Sequence, residues 1–538
     1  MDLHLCAICP SCCFELFGQI EPSSNLTKSR NSTLVRSQRT VYFYEKALVL
    51  SLRSTAAGAA KWTALSTVVT AATNLLIFAF LARLLTQSEM GLIAIMVVVM
   101  ALVDVFVGLG LPAALIHRRG VTSRQASSVH WLVVGSNSAC GLLLILLAGL
   151  LSDFFSQPDL KMQLIVVAAV FVINGFGQIP KASLEKRLQF GRVASAEISY
   201  AVLQLVAAVA FAHFGFGSWS YVLALVLSSA VRVSLWAYLG RRTFRPRFVF
   251  GWSSTKPFLS FGVYQAADGL VNYLTNNFSA IALGKILGPG PLSGYTLAYN
   301  VAVQLPAKVN PIITRVAFPL MAKMQGEQSR VVRTYLQINR ICALISAPVL
   351  IGLALVSGDF MSFMYGEPYR SYEREFAILC LVGLLRAYGN PLGSMLNATG
   401  RVKLGFSLNS IRACLSIPIT IWMTIEWGSL GAALSMLISG LLGFCVGAIC
   451  SRVVLSVKLR TYAAGLFWAV LPALPMAVFL VGFQLFLPTN LSNWTNISIQ
   501  AVVALFIYLI SIWTLCREPF ILSVKSRIIR NVLEFKRS

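Results

Sequence analysis

Charge is scarce in this chain of 538 residues: 12% of them are charged, 19 are acidic, and histidine occurs four times. Soluble domains carry about a quarter charged residues, so a soluble globular enzyme is excluded at the outset. No Gly-rich loop ends in Gly-Lys-Ser/Thr, which excludes a resident phosphate-cradling ATPase loop. His4, His117, His130 and His213 lie far apart, and no loop gathers a nucleophile, base and acid. Of the 11 cysteines, Cys6, Cys9, Cys12 and Cys13 cluster near His4. Thiolates two residues apart can share a tetrahedral zinc ion, but no second pair follows, and the remaining cysteines are scattered as small hydrophobes in apolar segments. No metal and no cofactor is therefore expected. The N-terminus also lacks a basic stretch leading into a short apolar core, so no cleaved signal is expected. Residues 1–60 are read as a disordered cytoplasmic N-terminal segment.

What is abundant is apolar: 57% of the residues are hydrophobic and the mean hydropathy is +0.75. Runs long enough to span a bilayer occur at 62–84, 91–116, 129–151, 163–184, 195–215, 217–239, 257–283, 294–318, 334–357, 375–397, 406–426, 428–450, 466–487 and 497–516. Fourteen helices of about 20 residues take roughly 280 residues, just over half the chain, and leave no room for a large soluble domain. The expected fold class is an all-α polytopic membrane protein with about 14 transmembrane helices. The gaps at 214–217 and 426–428 are read as tight turns between paired helices, each centred on glycine.

The formal net charge is +25. In so apolar a chain this excess predicts basic loops on one membrane face, and no nucleic acid is expected as a partner. With a cytoplasmic N-terminus and fourteen alternating spans, twenty-five Lys and Arg fall in cytoplasmic loops and the C-terminal tail, against five on the other side (Arg83, Lys161, Lys285, Arg370, Arg374). Both termini are therefore expected to be cytoplasmic.

The halves repeat weakly. Ala82-Arg83-Leu84-Leu85 followed by Met90-Gly91-Leu92 is matched by Gly284-Lys285-Ile286-Leu287 followed by Ser293-Gly294-Tyr295, and Gly217-Ser218-Trp219 by Gly428-Ser429-Leu430. An even number of helices separates the copies, so they share one orientation, as parallel bundles in a transporter do. The expected plan is a six-helix bundle over 61–240, a basic cytoplasmic linker over 241–256 and a second six-helix bundle over 257–452. Two extra transmembrane helices over 453–516 and a basic tail over 517–538 follow.

The stretches LARLLTQSEMGLIAIMVVVMALVDVFVGLGLPAALIHR (81–118) and GKILGPGPLSGYTLAYNVAVQLPAKVNPIITRVAFPLMAKMQ (284–325) resemble the openings of the two halves of bacterial Wzx-type polysaccharide exporters. These belong to the multidrug/oligosaccharidyl-lipid/polysaccharide (MOP) exporter superfamily, with a MATE-like pair of six-helix bundles. The resemblance implies flipping of a polyprenyl-diphosphate-linked oligosaccharide from the cytoplasmic to the outer leaflet of the bacterial inner membrane by alternating access, for exopolysaccharide or lipopolysaccharide synthesis. The partners it implies are the lipid-linked oligosaccharide, the bilayer, and a polysaccharide polymerase and co-polymerase. The chain departs from the family at Gly108 and Ser279, where members often carry acids, so no coupling role passes to those positions.

The groups that can carry such work are ionisable residues inside the bilayer: Lys181, Arg232, Lys308, Arg315, Arg340, Arg386 and Arg412, with the acids Asp104, Glu197 and Asp268. A mid-membrane charge costs about 2.5–3.5 kcal/mol on insertion scales, so it needs a partner or a wet cavity. Lys181, Arg315, Arg340 and Arg412 stand near helix ends and can snorkel. Lys308 and Arg315, seven residues apart, share one helix face. They are read as a cationic stripe completed by Arg386 and Arg412. A lipid diphosphate is the matching anion. Asn272, Asn276 and Asn277 are candidates for sugar hydroxyls, with interhelical polar glue the equal alternative, and Asp104 and Asp268 for a coupling ion. Pro112, Pro306, Pro311 and Pro319 are read as bends suited to rocking bundles or required by packing. A multidrug exporter of the same fold calls for more buried acids. A membrane glycan polymerase or ligase calls for a longer outer loop than 358–374.

Overall fold

The computed structural model describes residues 58, 61–107, 111–118, 120–249, 251–307, 327–398, 401–486 and 493–515. The chain divides into Met1–Lys61 and Trp62–Ser538, and the architecture below is that of the second unit. The described residues are helical and contain no strand.

The membrane helices are α1 (Lys61–Leu84), α2 (Gln87–Asp104), α3 (Ser123–Phe155), α4 (Pro158–Lys186), α5 (Phe190–His213), α6 (Trp219–Gly240), α7 (Trp252–Ile286), α8 (Pro289–Tyr299, running on through a π turn at Asn300–Gln304), α9 (Gln328–Leu355), α10 (Glu373–Gly389), α11 and α12 (402–427 and 429–455), α13 (Leu459–Val470, continued by Leu474–Phe486) and α14 (Asn493–Leu515). Among the described residues ten continuous helices are long and apolar enough to cross a membrane. One of these holds both α11 and α12, and α7, α8 and α14 complete the fourteen. The protein is a multi-pass membrane protein. Its outward faces carry large apolar side chains such as Leu146 and Leu150, about two-thirds exposed, as suits a surface solvated by lipid.

Local chemistry sets several boundaries. Thr86 and Thr122 cap α2 and α3, each in a reciprocal box with the side chain three residues on, Glu89 and Gln125. This satisfies backbone donors that a helix start leaves free. The run expected as one helix over 91–116 is instead interrupted after Asp104 and resumes as Leu111–His117. The Gly-Leu-Gly-Leu-Pro sequence there, poor in helix propensity and ending in proline, explains the break. The outer loop expected at 358–374 is itself folded, into a short helix Ser357–Tyr365 and a 3-10 turn Glu367–Tyr372. Pro472 and Pro475 account for the interruption of α13 at Leu471–Ala473.

The sequence repeat has a backbone meaning. Gly217 and Gly428, at equivalent places in the α5–α6 and α11–α12 turns, have φ of 55° and 58°, a region open to glycine and costly to other residues. The other repeated pair, Gly91 and Gly294, serves close approach. A Cβ on Gly91 would lie 1.9 Å from the Pro289 carbonyl oxygen, and one on Gly294 would lie 2.4 Å from the Tyr372 ring. Gly91 thus lets α2, from the first half, lie directly on α8, from the second, the small-residue packing that joins helices in lipid.

Gly428→Ala is expected to cost about 1–2 kcal/mol, the usual penalty of left-handed backbone, and to lower the melting midpoint in detergent modestly. Gly91→Ala sets a methyl against backbone that cannot rotate away, and its midpoint is expected to fall further than that of Gly428→Ala in the same scan.

Candidate functional site

The two halves treat their embedded charges differently. In the first half, Glu197 of α5 accepts from Lys181 of α4 at 3.0 Å and lies 3.6 Å from Arg232 of α6. Arg232 also donates to the Asn174 side-chain oxygen at 2.9 Å and sits over the Tyr200 ring at 4.0 Å, while Lys181 lies over Trp236 at 4.9 Å. One carboxylate and two aromatic rings, Tyr200 and Trp236, compensate two cations. Lys181, expected to snorkel, is paired instead. This joins residues on three helices, which local spacing does not foretell.

The second half encloses a cavity of about 710 Å³ bounded by α7, α8, α10, α11 and α12, with Ala101 of α2 on its rim. Its walls along α10 and α11 run toward the connection between those helices, the end of the bundle that also carries Arg401 and Arg452. Five of the residues singled out in the sequence meet here: Asn272, Asn276, Asn277, Arg386 and Arg412.

Arg386 donates to the Tyr299 hydroxyl at 3.2 Å and approaches the Met436 sulfur at 3.3 Å. The Tyr299 hydroxyl donates onward to the Asn276 carbonyl oxygen at 3.2 Å. The guanidinium is therefore oriented by neutral groups. Arg412 stands in the wall against Gly443, where a Cβ would fall 2.9 Å from its Nη1, and its Nε is buried without a hydrogen-bond partner. Among the described residues neither arginine has an acid within ion-pair distance. Two cations share one cavity with no described carboxylate paired to either, an arrangement that favours a bound anion.

Packing places these groups. The π turn at Asn300–Gln304 brings the Ala302 carbonyl toward α10 so closely that a Cβ on Gly383 would lie 2.0 Å from it. Tyr299 stands three residues before Ala302, and Arg386 three after Gly383, so this backbone contact sets their register. The asparagine amides turn along α7: Asn276 donates to the Asn272 carbonyl at 2.7 Å and side chain at 2.9 Å, and Asn277 to the Tyr273 carbonyl at 3.1 Å. Tyr299, Asn390 and Asn409 also line the cavity and were not singled out in the sequence. The detectable signal was Asn409, three residues before Arg412 and so on the same helix face.

Lys308 and Arg315 lie outside the described residues, as do the Cys6–Cys13 cluster and Gly108. Asp268 lies on α7, but its side chain is also outside them. Asp104, expected near a helix centre, is the last residue of α2 and does not line the cavity; it faces the first half, within electrostatic reach of Arg232. Ser279, at the position where related exporters often carry an acid, is buried with its hydroxyl 4.0 Å from the Met436 sulfur. Among the described residues no group of three His, Cys, Asp or Glu side chains is placed to hold a metal.

At the opposite end the halves meet. The Arg83 guanidinium donates to the Phe363 carbonyl, Gln87 donates to the Pro368 carbonyl at 3.1 Å, and Gly91 lies against Pro289.

Residues 80–374 match the family model described as polysaccharide biosynthesis protein. The chain is 32% identical over 483 residues to lipopolysaccharide biosynthesis protein WzxC of Escherichia coli (strain K12), an alignment covering 90% of this chain and 98% of that protein. It is 31% identical to teichuronic acid biosynthesis protein TuaB of Bacillus subtilis (strain 168), covering 79% and 88% of the two chains. Among solved structures, lipid II flippase MurJ in an inward closed conformation superposes with a TM-score of 0.69 at 13% identity, covering 87% of this chain and 99% of that one. The last likeness establishes the shared fold.

Glu197→Gln leaves Lys181 and Arg232 without their counter-charge. The group is partly exposed, so a loss of about 1–3 kcal/mol is expected, less than for a fully buried pair, read as a lower melting midpoint. Glu197→Gln combined with Arg232→Gln should recover part of it.

Proposed function

The chain belongs to the polysaccharide biosynthesis protein family, and we propose that it flips polyprenyl-diphosphate-linked oligosaccharide repeat units across the bacterial inner membrane for exopolysaccharide or lipopolysaccharide synthesis. It is a transporter and not an enzyme. The observation that carries the reading is the cavity in which Arg386 and Arg412 stand without an ion-pair partner among the described residues.

A lipid diphosphate carries about two negative charges, and the hydrocarbon interior excludes both them and the hydrated glycan. Two guanidinium groups facing a wet cavity offer forked donors matched to phosphate oxygens. In this reading Arg386 and Arg412 take the diphosphate, and Lys308 and Arg315 add further positive charge to its path. Asn272, Asn276 and Asn277 meet sugar hydroxyls, while the polyprenyl chain stays in the bilayer. The arginine-rich end, with both termini, faces the cytoplasm, and the cavity opens there to newly made lipid-linked units. Release follows when the contacts of Arg83 and Gln87 at the other end part and the bundles over 61–240 and 257–452 rock about each other. Asp104 and Asp268 are the positions at which a coupling ion would act. A polymerase and co-polymerase on the outer face would consume the flipped unit. A cation-coupled drug exporter of the same fold would need an acidic cavity, and two unpaired arginines oppose that.

Arg386→Ala and Arg412→Ala are each expected to lower polymer export about tenfold or more, the scale of losing one charge contact at reduced dielectric, with lipid-linked repeat units accumulating inside the cell. Lysine at either position should retain part of the export. Wild-type export from an Arg386→Ala/Arg412→Ala double variant present at normal membrane levels would sink the reading.

A further inference from the structure

The segment joining the two halves, residues 241–251, carries Arg241, Arg242, Arg245 and Arg247 and no acid. All four arginines are exposed. A topology signal requires only that such charges sit in a loop, yet this loop is stitched to the first half. The Trp131 indole donates to the Arg247 carbonyl at 2.9 Å, and the Arg247 amide donates to the Ser127 hydroxyl at 3.2 Å. The Ser128 hydroxyl donates to the Val249 carbonyl at 3.3 Å and accepts from the Gly251 amide at 3.1 Å. The Thr243 and Ser183 hydroxyls lie 2.9 Å apart. The backbone is thus fixed against the start of α3 and the end of α4, and within it Arg245 Nε donates to the Arg241 carbonyl at 3.2 Å.

Two aromatic groups complete the surface. Phe248 is 92% exposed and stacks on Trp131 with ring centroids 4.8 Å apart. Arg241 lies 4.2 Å over the ring of Tyr238, itself an exposed side chain. A phenylalanine so exposed is unfavourable in water and favourable at the headgroup level of a bilayer, where aromatic rings collect. Among the described residues no carboxylate pairs with any of the four arginines. Aromatic rings beside guanidinium groups that no described carboxylate neutralises match the phosphate of an anionic phospholipid at a membrane surface, with the acyl chains beneath the rings.

We propose that residues 241–249 form a binding strap for anionic phospholipid headgroups, in which Arg242, Arg245 and Arg247 hold the phosphate and Phe248 enters the interface. The strap also connects the halves, so a lipid held there anchors the first half to the membrane plane while the second moves. The proposal does not depend on what the cavity carries.

The test uses the full-length protein in detergent, incubated with dioleoylphosphatidylglycerol or dioleoylphosphatidylcholine and read by native mass spectrometry as lipid retained per protein. Wild type should prefer phosphatidylglycerol. Arg242→Ala/Arg245→Ala/Arg247→Ala should lower its retention about tenfold, leave phosphatidylcholine unchanged and keep the wild-type melting midpoint. Phe248→Ser should lower it by a smaller factor, and decides alone if the triple variant melts early. Retention of phosphatidylglycerol at the wild-type level in both variants overturns the proposal. So does an equal loss in Arg452→Ala/Lys458→Ala, which removes charge elsewhere at the same end. Complete displacement by millimolar inorganic phosphate would identify a free-phosphate site and overturn it too.

Discussion

A charge inside a bilayer must be paired or kept wet, and the two halves of this protein meet that constraint in opposite ways. The first half answers its cations internally: Glu197 stands between Lys181 and Arg232, and aromatic faces take up the remaining field. The second half leaves Arg386 and Arg412 unanswered by any described acid and surrounds them with a cavity. The difference separates charges that hold a bundle together from charges left available to a ligand. Within the membrane, among the described residues, the cations of the first half are paired and the two that line the cavity of the second are not.

The cavity exists because backbone approaches backbone elsewhere. Gly91 on Pro289 and Gly383 on the Ala302 carbonyl lock α8 between α2 and α10. In water the hydrophobic effect would gather these helices. In lipid it does not, and packing at small residues has to supply the association. The π turn in α8 belongs to the same economy: the carbonyl it throws outward is received by a residue with no side chain. Any side chain at Gly383 would force α8 and α10 apart and separate Tyr299 from Arg386.

Much of this was legible in the sequence, because a twenty-residue apolar run is a strong signal and the distribution of Lys and Arg is a second, independent one. The glycine repeat was also legible as pattern, although its reason, two left-handed turns and two close contacts, needs coordinates. What escaped was contact between distant segments. Lys181 looked like a snorkelling end residue because its carboxylate partner sits on the next helix. Asp104 looked central because the run continues past it in composition while the helix ends there. Tyr299 carried no mark at all, since an aromatic in an apolar helix is ordinary until a guanidinium is found on its hydroxyl.

The asymmetry of the two ends follows from the same placement of groups. Where Arg83 and Gln87 reach across to the Phe363 and Pro368 carbonyls, the contacts use backbone acceptors and one charged side chain, weak individually and exposed to water. Such contacts can break and re-form at little net cost, since water replaces each of them. The Gly91–Pro289 contact is of another kind. It is close and set by shape, the Gly91 α-carbon lying against the Pro289 backbone, and only a residue without a side chain admits it. A hinge needs the second kind and a gate the first, and here they lie close in the chain, Arg83 at the end of α1 and Gln87 and Gly91 in the first turns of α2, so that the polar contacts can part while Gly91 still holds α2 on α8.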